Sequence, residues 1–444
     1  MIDTNVLTGR TLLKMEGIMK AYQELKKEEL AIIKTELDKK YQDIKAKGMV
    51  LDISRGKPAS EQLDIGMDFL DSVSSKDVTK TEAGFDCRNY GLLDGIPEAK
   101  ELMAEIMNVP SDSVIVCGNA SLNIMYDSIS RAMVHGILGN TPWAKLDKVK
   151  FLCPVPGYDR HFAITEHFGI EMINVPMNDN GPDMDMVEEL VESDDSIKGI
   201  WCVPKYSNPQ GVTYSDEVVD RFANLKPAAK DFRIFWDNAY AIHYLYEDKI
   251  DDLKDILTAC KEAGNEDMVY EFASTSKVIF AGGGISAVAM SKANKEEYMK
   301  SMTIQTIGYD KLNQLRHVKY FKDINGVMAH MKKHAEILRP KFETVLNVLE
   351  TEIGELNIGT WLNPNGGYFV SFDAMEGCAK RVVTLCKEAG LVLTGAGATY
   401  PYKKDPKDSN IRIAPTFTST KELDMAMELF VLCVKLASIE KLLA

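Results

Sequence analysis

The sequence has no apolar run of the roughly 20 residues that a membrane-spanning helix requires, and its first residues contain no apolar signal core. Its eight cysteines form no CxxC pair, and several lie in apolar, strand-like runs, as reduced core residues do. Positive charge is scarce, because 52 Lys and Arg face 66 Asp and Glu, for a net charge of −14. This balance argues against nucleic acid or an anionic membrane surface as a main partner. We therefore expect a cytoplasmic protein that binds neither.

A dinucleotide-binding fingerprint is missing as well, since no G-x-G-x-x-G sequence opens a helix after a predicted strand. This absence counts against a nicotinamide-dependent oxidoreductase. The length of 444 residues is enough for one large and one smaller domain, each with its own core. A hydrophobic content of 45% and a charged content of 27% are ordinary for a globular protein.

From about residue 110 onward, short apolar runs alternate with helical patterns. Six of these runs predict strands: 114–117, 149–153, 172–175, 199–203, 233–236 and 269–273. Such alternation is typical of a mainly parallel sheet covered by helices on both faces. Because ligands bind at the carboxyl ends of the strands in such sheets, the loops that follow the strands are the candidate site.

Long helical patterns lie on both sides of this region. Apolar residues recur at steps of three and four from about residue 11 to 47, and Gly48 ends that pattern. A second long pattern, over about 323–356, predicts where the chain leaves the large domain. We therefore predict an N-terminal helical segment that joins the small domain (1–75), a large domain (76–322) and a small α+β domain (323–444).

Three of the loops carry polar groups suited to binding or catalysis. In Gly118-Asn119-Ala120-Ser121, a strand passes into a helix whose first N–H groups favour an anion such as phosphate, although an ordinary helix cap would look the same. The loop 205–211 contains Asn208-Pro209, for which an ordinary turn without a functional role is the alternative interpretation. The run 235–240 ends with Asp237 and Tyr240. Because burying a bare carboxylate is costly, Asp237 is expected to be paired or functional.

A fourth loop, 273–277, ends in Lys277 and precedes the glycine run Gly282-Gly283-Gly284. Burial between apolar strands lowers the pKa of an amine and leaves it nucleophilic enough to form a Schiff base. Taken alone, a lysine is more often a surface residue. Together, however, the four loops supply a phosphate seat, an amide, a carboxylate, a phenol and an amine. These are the groups that pyridoxal 5'-phosphate (PLP) requires.

The ordered set of motifs resembles the class I aminotransferases of PLP fold type I. The matching segments, in family order, are Asn89–Gly95, Asn208–Gly211, Asp237–Tyr240, Ser274–Lys277 and Arg412. Pro154–Tyr158 stands where that family has an aromatic ring that stacks on the cofactor. Each motif is weak alone, but the ordered set covers nearly the whole chain. The resemblance implies a mainly parallel mixed central sheet covered by helices, with a smaller α+β domain.

The resemblance also implies catalytic roles. Lys277 would form the Schiff base with the cofactor and then move the proton between the substrate Cα and the cofactor. Asp237 would keep the ring nitrogen protonated, so that the ring acts as an electron sink. Tyr240 and Asn208 would bind the 3-oxygen of the ring. No metal is implied.

The remaining binding residues follow from the same resemblance. Asn119, Ala120, Ser121 and Ser274 would hold the phosphate of the cofactor. Tyr158 would stack on its ring. Tyr90 would reach the phosphate in the neighbouring subunit, which implies a homodimer with shared active sites.

At the substrate end, the resemblance implies that Arg412 clamps the α-carboxylate in a bidentate pair, with backbone near Gly56 and the Asn208 amide beside it. The implied reaction moves an amino group from an amino acid, L-aspartate by resemblance, to 2-oxoglutarate. No arginine other than Arg412 is placed well enough to assign the side-chain end of the substrate. The possible second cations are Arg55, Lys57, Arg88 and Arg316.

The chain departs from the family pattern after the lysine. The family has an arginine about eight residues on, whereas this chain has Gly284-Ile285-Ser286. Backbone N–H groups of the glycine run could form an anion-binding nest instead, or the run could serve tight packing. The long N-terminal helix, the segment 54–58 and the segment 281–286 resemble the MocR-like branch of aspartate aminotransferases.

Two alternatives remain open on sequence grounds. The same core residues would support a PLP-dependent lyase or decarboxylase. A PLP-binding regulator would share the fold, but the N-terminal region is too short for a winged helix and the charge balance is acidic. Transfer of an amino group to a second oxo acid distinguishes an aminotransferase from both.

Overall fold

The computed structural model describes residues 21–444, in which helices and strands alternate along most of the chain. The strands are β1 (Leu51–Asp52), β2 (Val114–Val116), β3 (Lys150–Val155), β4 (Glu171–Asn178), β5 (Gly181–Pro182), β6 (Ile197–Cys202), β7 (Arg233–Asp237), β8 (Val269–Ser274), β9 (Ser286–Met290), β10 (Gly359–Trp361), β11 (Val370–Ala374), β12 (Leu391–Val392) and β13 (Asn410–Ile413). The α-helices are α1 (Lys27–Lys45), α2 (Ser60–Asp64), α3 (Pro97–Met107), α4 (Ser121–His135), α5 (Asp159–His167), α6 (Met184–Ser193), α7 (Asp216–Ala223), α8 (Ile256–Glu262), α9 (Lys292–Gln305), α10 (Lys311–Phe321), α11 (Ile324–Ile353), α12 (Ala379–Glu388) and α13 (Thr420–Leu443).

Eight strands form one sheet in the order β2-β9-β8-β7-β6-β3-β4-β5. The neighbours from β8 across to β4 are parallel, whereas β9 is antiparallel to both of its neighbours and β5 is antiparallel to β4. All six strands predicted from apolar runs are present, with ends that differ by a few residues. The predicted α/β fold with a mainly parallel mixed sheet is therefore confirmed.

The centre of this sheet positions the candidate site. Strands β6 and β7 are buried at every residue, including Lys198 and Arg233, as expected for strands covered on both faces. Strand β7 ends at Asp237, which is in register with Phe272 of β8. Because carboxyl ends of parallel neighbours meet at one edge, Asp237 lies beside the loop that follows β8 and carries Lys277.

Two smaller sheets contain the rest of the strands. Strands β10, β11 and β13 form an antiparallel sheet, and β1 pairs in parallel with β12. Helix α1 packs on α13, and its Tyr41 phenol donates a hydrogen bond to the Leu385 carbonyl at 2.9 Å. The N-terminal helical segment thus lies against the C-terminal region, while domain boundaries at 75 and 322 stay predictions.

The long helical patterns are present with different ends. The N-terminal pattern gives α1, which ends just before Gly48, a glycine with φ of 62°. The first ten residues of that predicted helix, 11–20, lie outside the described residues. The second pattern gives the 30-residue helix α11.

All eight cysteines are buried, and none forms a disulfide. Within residues 21–444, no helix has the length and apolar character needed to cross a bilayer.

Candidate active site

Lys277 lies in the turn that follows β8, with its side chain partly buried. Its Nζ is 5.0 Å from the centre of the Tyr240 ring and 5.7 Å from the centre of the Tyr368 ring. Burial lowers the pKa of the Lys277 amine, and the nearby Asp237 carboxylate offsets part of that effect. The surroundings therefore favour the uncharged, nucleophilic amine that a Schiff base requires.

Asp237 is 2% exposed and is held on one side by a histidine. His161 Nε2 donates to Asp237 Oδ2 at 2.9 Å, and the His161 ring stacks on Trp201 with centres 4.4 Å apart. The second oxygen, Oδ1, is buried and has no hydrogen-bond partner within the described chain. A buried acceptor without a partner is costly, so this oxygen fits a donor carried by a bound group, such as the ring N–H of PLP.

Sequence reasoning missed His161. It lies three residues after Tyr158, the residue that directly precedes α5, and the two ring centres are 4.9 Å apart. Residues three apart face the same side of a helix, so the spacing from the predicted stacking residue was the available signal.

The Tyr240 phenol is 3% exposed. Burial, together with the nearby Tyr158 and Asp237, raises the pKa of this phenol well above its ordinary value. Tyr240 therefore keeps its proton and can donate a hydrogen bond to a negatively charged oxygen, as its predicted role requires.

The predicted phosphate residues lie close to the lysine loop. Helix α4 begins at Ser121, and no side chain caps its first N–H groups. The Ser276 hydroxyl donates to the Asn119 carbonyl at 2.9 Å, and the Ser274 hydroxyl donates to Ser276 Oγ at 3.1 Å. The turn around Ala120 and the start of the lysine loop are thus joined next to free helix N–H groups, an arrangement that suits a phosphate.

The glycine run packs against the same loop. A Cβ atom at Gly284 would lie 3.1 Å from Thr275 Oγ1 and 3.2 Å from the Ser276 nitrogen. The Gly283 N–H donates to the Phe280 carbonyl at 2.9 Å, so it is not available to an anion. At Gly284 the run serves close packing, and Gly283 does not fit the predicted nest.

Arg412 on β13 is 8% exposed and lies over the Phe369 ring, with Cζ 4.7 Å from the ring centre. Its Nη1 donates to Asp159 Oδ1 at 2.8 Å and to Asn208 Oδ1 at 3.2 Å. The structure thus brings together Arg412 and Asn208, which are 204 residues apart in sequence. Asp159 and Phe369 were not predicted from the sequence.

The loop that contains Gly56 lies beside this arginine. A Cβ atom at Gly56 would overlap the Phe369 ring, so only glycine allows the backbone to approach so closely. Thr394 Oγ1 donates to the Ser54 carbonyl at 2.7 Å and accepts from Arg412 Nη2 at 3.4 Å. Gly56 and Arg412 therefore belong to one cluster, as the resemblance implies.

Tyr90 is a predicted site residue that lies on the surface of the single chain. It is 76% exposed, and its phenol makes no hydrogen bond within residues 21–444.

A buried polar chain lies behind Lys277. His330 Nε2 donates to the carbonyl of Val278 at 2.9 Å, and His334 Nε2 lies 3.1 Å from His330 Nε2. Gln62 Nε2 contacts both His334 Nδ1 at 3.0 Å and Tyr368 Oη at 3.1 Å. Burial lowers the pKa of His330 to about 4 and that of His334 to about 3. Uncharged histidines on α11 therefore support the backbone next to Lys277.

Known proteins resemble the chain over nearly its whole length. Residues 25–444 match the family model described as "Aspartate amino-transferase". The chain is 45% identical over 419 residues to an aspartate aminotransferase of Corynebacterium glutamicum, covering 94% of this chain and 96% of that protein. It is 46% identical over 425 residues to a protein of Mycolicibacterium smegmatis named as an aminotransferase, covering 95% and 99% of the two chains. The crystal structure of an aspartate transaminase from Corynebacterium glutamicum matches with a TM-score of 0.93 and 44% identity, over 95% of this chain and 99% of that one.

Proposed function

The chain belongs to the aspartate amino-transferase family, whose members are PLP-dependent aminotransferases, and we propose that it transfers the amino group of L-aspartate to 2-oxoglutarate by way of Lys277. The family assignment favours an aminotransferase over the lyase, decarboxylase and regulator alternatives. Membership in the MocR-like branch stays a prediction.

The observation that carries the proposal is the half-satisfied carboxylate of Asp237. His161 fixes Oδ2, and the unpartnered Oδ1 points to a donor on a bound ring. PLP, when bound, supplies an electron sink for the electrons released at the substrate Cα. A carboxylate at the ring nitrogen stabilises the protonated ring on which that sink depends.

The other residues would act around this carboxylate. Lys277 holds an amine whose pKa is lowered by burial, so it can take the Cα proton and return it. The protonated Tyr240 phenol and the Asn208 amide would donate hydrogen bonds to the 3-oxygen. Ser274 and the uncapped start of α4 at Ser121 would hold the phosphate.

Arg412 is proposed to hold the α-carboxylate, because it is a buried cation with Asn208 at its side. For the side-chain carboxylate of aspartate we propose Arg55, which is exposed in the loop beside Gly56 and makes no ion pair within the described residues. Arg88, by contrast, already pairs with Asp86 at 2.6 Å. The relatives named as aspartate aminotransferases support this choice of substrate.

We also propose a homodimer in which Tyr90 completes the neighbouring site. Its exposure in the single chain supports a role outside that chain.

The test is a transfer assay with purified, PLP-loaded protein. L-Aspartate and 2-oxoglutarate should yield oxaloacetate and glutamate in equal amounts. Half-reactions with aspartate, glutamate, alanine and tyrosine then rank the amino donors. Arg55→Ala should weaken use of aspartate more than use of alanine, whereas Arg412→Lys should weaken use of all four. If alanine or tyrosine reacts much faster than both acidic donors, the aspartate assignment is wrong.

A further inference from the structure

A carboxylate of the chain itself occupies the guanidinium of Arg412. Asp159 Oδ1 accepts from Arg412 Nη1 at 2.8 Å. The Arg412 side chain is 8% exposed and that of Asp159 is 35% exposed. Because a buried guanidinium without an anion is strongly destabilised, Asp159 supplies the compensating charge from within the fold.

The hydrogen bonds of Arg412 show which of its nitrogens remain available to a second carboxylate. Nη1 uses both of its hydrogens, on Asp159 and on Asn208. Nη2 has only the long contact of 3.4 Å with Thr394, and Nε is buried with no partner in residues 21–444. A carboxylate that binds the end of the guanidinium in two parallel bonds uses Nη1 and Nη2. It therefore competes with Asp159 for Nη1.

The position of Asp159 allows its carboxylate to leave Arg412. It lies in the first turn of α5, and its carboxylate makes no hydrogen bond other than that to Arg412 within the described chain. The partly exposed position gives the side chain a path into water. Two carboxylates on one guanidinium would repel each other, so the arrival of a second one favours the outward position.

We propose that Asp159 is a displaceable internal ligand of Arg412, which the α-carboxylate of the amino acid or oxo acid replaces on binding. Asp159 thus weakens the binding of every carboxylate substrate by competition for Arg412. This inference rests on the proposed role of Arg412.

The test uses the PLP-loaded protein and the variant Asp159→Asn, which keeps an oxygen acceptor for Nη1 but removes the charge. The probe is succinate, a dicarboxylate without an amino group, which can bind at Arg412 but cannot donate an amino group. We expect the inhibition constant of succinate and the KM values of aspartate and 2-oxoglutarate to fall about fivefold, with a smaller change in kcat. Asp185→Asn removes the same charge from a side chain that is 89% exposed on α6, and it should leave these constants unchanged.

Two results with Asp159→Asn alone overturn the inference. An unchanged succinate constant shows that Asp159 does not compete, and an increased constant shows that Asp159 instead orients Arg412 for the substrate. Asp159→Ser, which is neutral and smaller, replaces Asp159→Asn if the latter unfolds at a lower temperature than the native protein, and the same fall is expected.

Arg412→Lys separates this inference from the proposed function. If Arg412→Lys leaves every KM unchanged, the proposed role of Arg412 fails. If it raises them, the effect of Asp159→Asn should shrink in the Arg412→Lys background, because the two residues then act on one interaction. If Asp159→Asn lowers KM by the same factor in the Arg412→Lys background, its effect is a general effect of charge, and the proposed exchange at Arg412 is wrong.

Discussion

His161 holds one oxygen of Asp237 at 2.9 Å and leaves the other oxygen without a partner in the described chain. The carboxylate is therefore fixed in orientation while one acceptor stays available. Its near-complete burial makes that acceptor strong, because no water competes for it.

Asp237→Asn should fold but lose turnover by about 100-fold or more, because a neutral amide no longer stabilises a protonated ring nitrogen. The effect lies in the proton-abstraction step, so kcat should fall more than substrate binding. Steady-state kinetics with a PLP-saturated enzyme measure both. His161→Asn is the matched variant and should cost less, since Asp237 keeps its charge. Wild-type turnover in Asp237→Asn would mean that Asp237 is structural.

Lys277→Ala should fold and bind PLP only non-covalently. It should lose the borohydride-trappable link and turnover by about a thousandfold or more, since the nucleophile and the proton carrier are removed together. Lys205→Ala is the control, because Lys205 is also buried and burial also lowers its pKa. Peptide mapping after reduction locates the link. A link on a lysine other than Lys277 would contradict the assignment of the site.

Gly284→Ala should weaken PLP retention during dialysis and lower stability by roughly 1–3 kcal/mol. The added methyl group would press on Thr275 and Ser276, in the loop that carries the lysine. Gly282→Ala is the control, since nothing lies within 4 Å of a Cβ atom there. Thermal unfolding and the cofactor absorbance left after dialysis are the measurements. Equal retention in the two variants would show that the packing of Gly284 does not support the cofactor.

Glu271→Gln should stabilise the protein increasingly as the pH rises. Glu271 is 2% exposed, and burial raises the pKa of its carboxyl from 4.5 to about 8, although Asn238 donates to it at 2.9 Å. Between pH 4.5 and pH 8, Glu271 keeps its proton in the folded protein but releases it in the unfolded chain. The contribution of the protonated carboxyl to the stability of the fold is therefore complete below pH 4.5 and is lost as the pH rises through 8.

Glutamine keeps the Asn238 contact and has no proton to lose. The difference in unfolding free energy between Glu271→Gln and the native protein should grow by up to about 1.4 kcal/mol per pH unit between 5 and 8. Denaturant unfolding at several pH values measures it. A difference that is constant with pH would show that Glu271 titrates normally in the folded protein.

The sequence predicted the central strands well because each contains a short apolar run, as in β7, where Ile234, Phe235 and Trp236 are buried. It also predicted that Asp237 and Lys277 lie at the same edge of the sheet, because parallel neighbours place their carboxyl ends there. The order of the strands in the sheet was not predictable from the sequence. Strand β9 lies between β2 and β8, and no local pattern specifies that pairing.

Several residues that act through contacts between distant segments were not predicted. Asp159 and Arg412 are 253 residues apart, and Gln62 and His334 are 272 apart. Asp159, Gln62 and His334 are ordinary polar residues in their own segments, and only the packed fold gives them these partners. At Gly283 the reason is local, because its N–H donates to the Phe280 carbonyl within a turn and is not available to the nest that the sequence left open.

The eight buried thiols can be used to detect transient local unfolding of the protein. Burial raises the pKa of Cys117 and of Cys260 to about 12, so neither forms the reactive thiolate in the native state. A thiol-specific reagent can therefore label these positions only while the surrounding structure is open. Cys153 and Cys202 lie in the central sheet, whereas Cys386 lies on α12 in the C-terminal region. The order in which such a reagent labels them under native conditions ranks how often each part of the molecule unfolds, without any engineered probe.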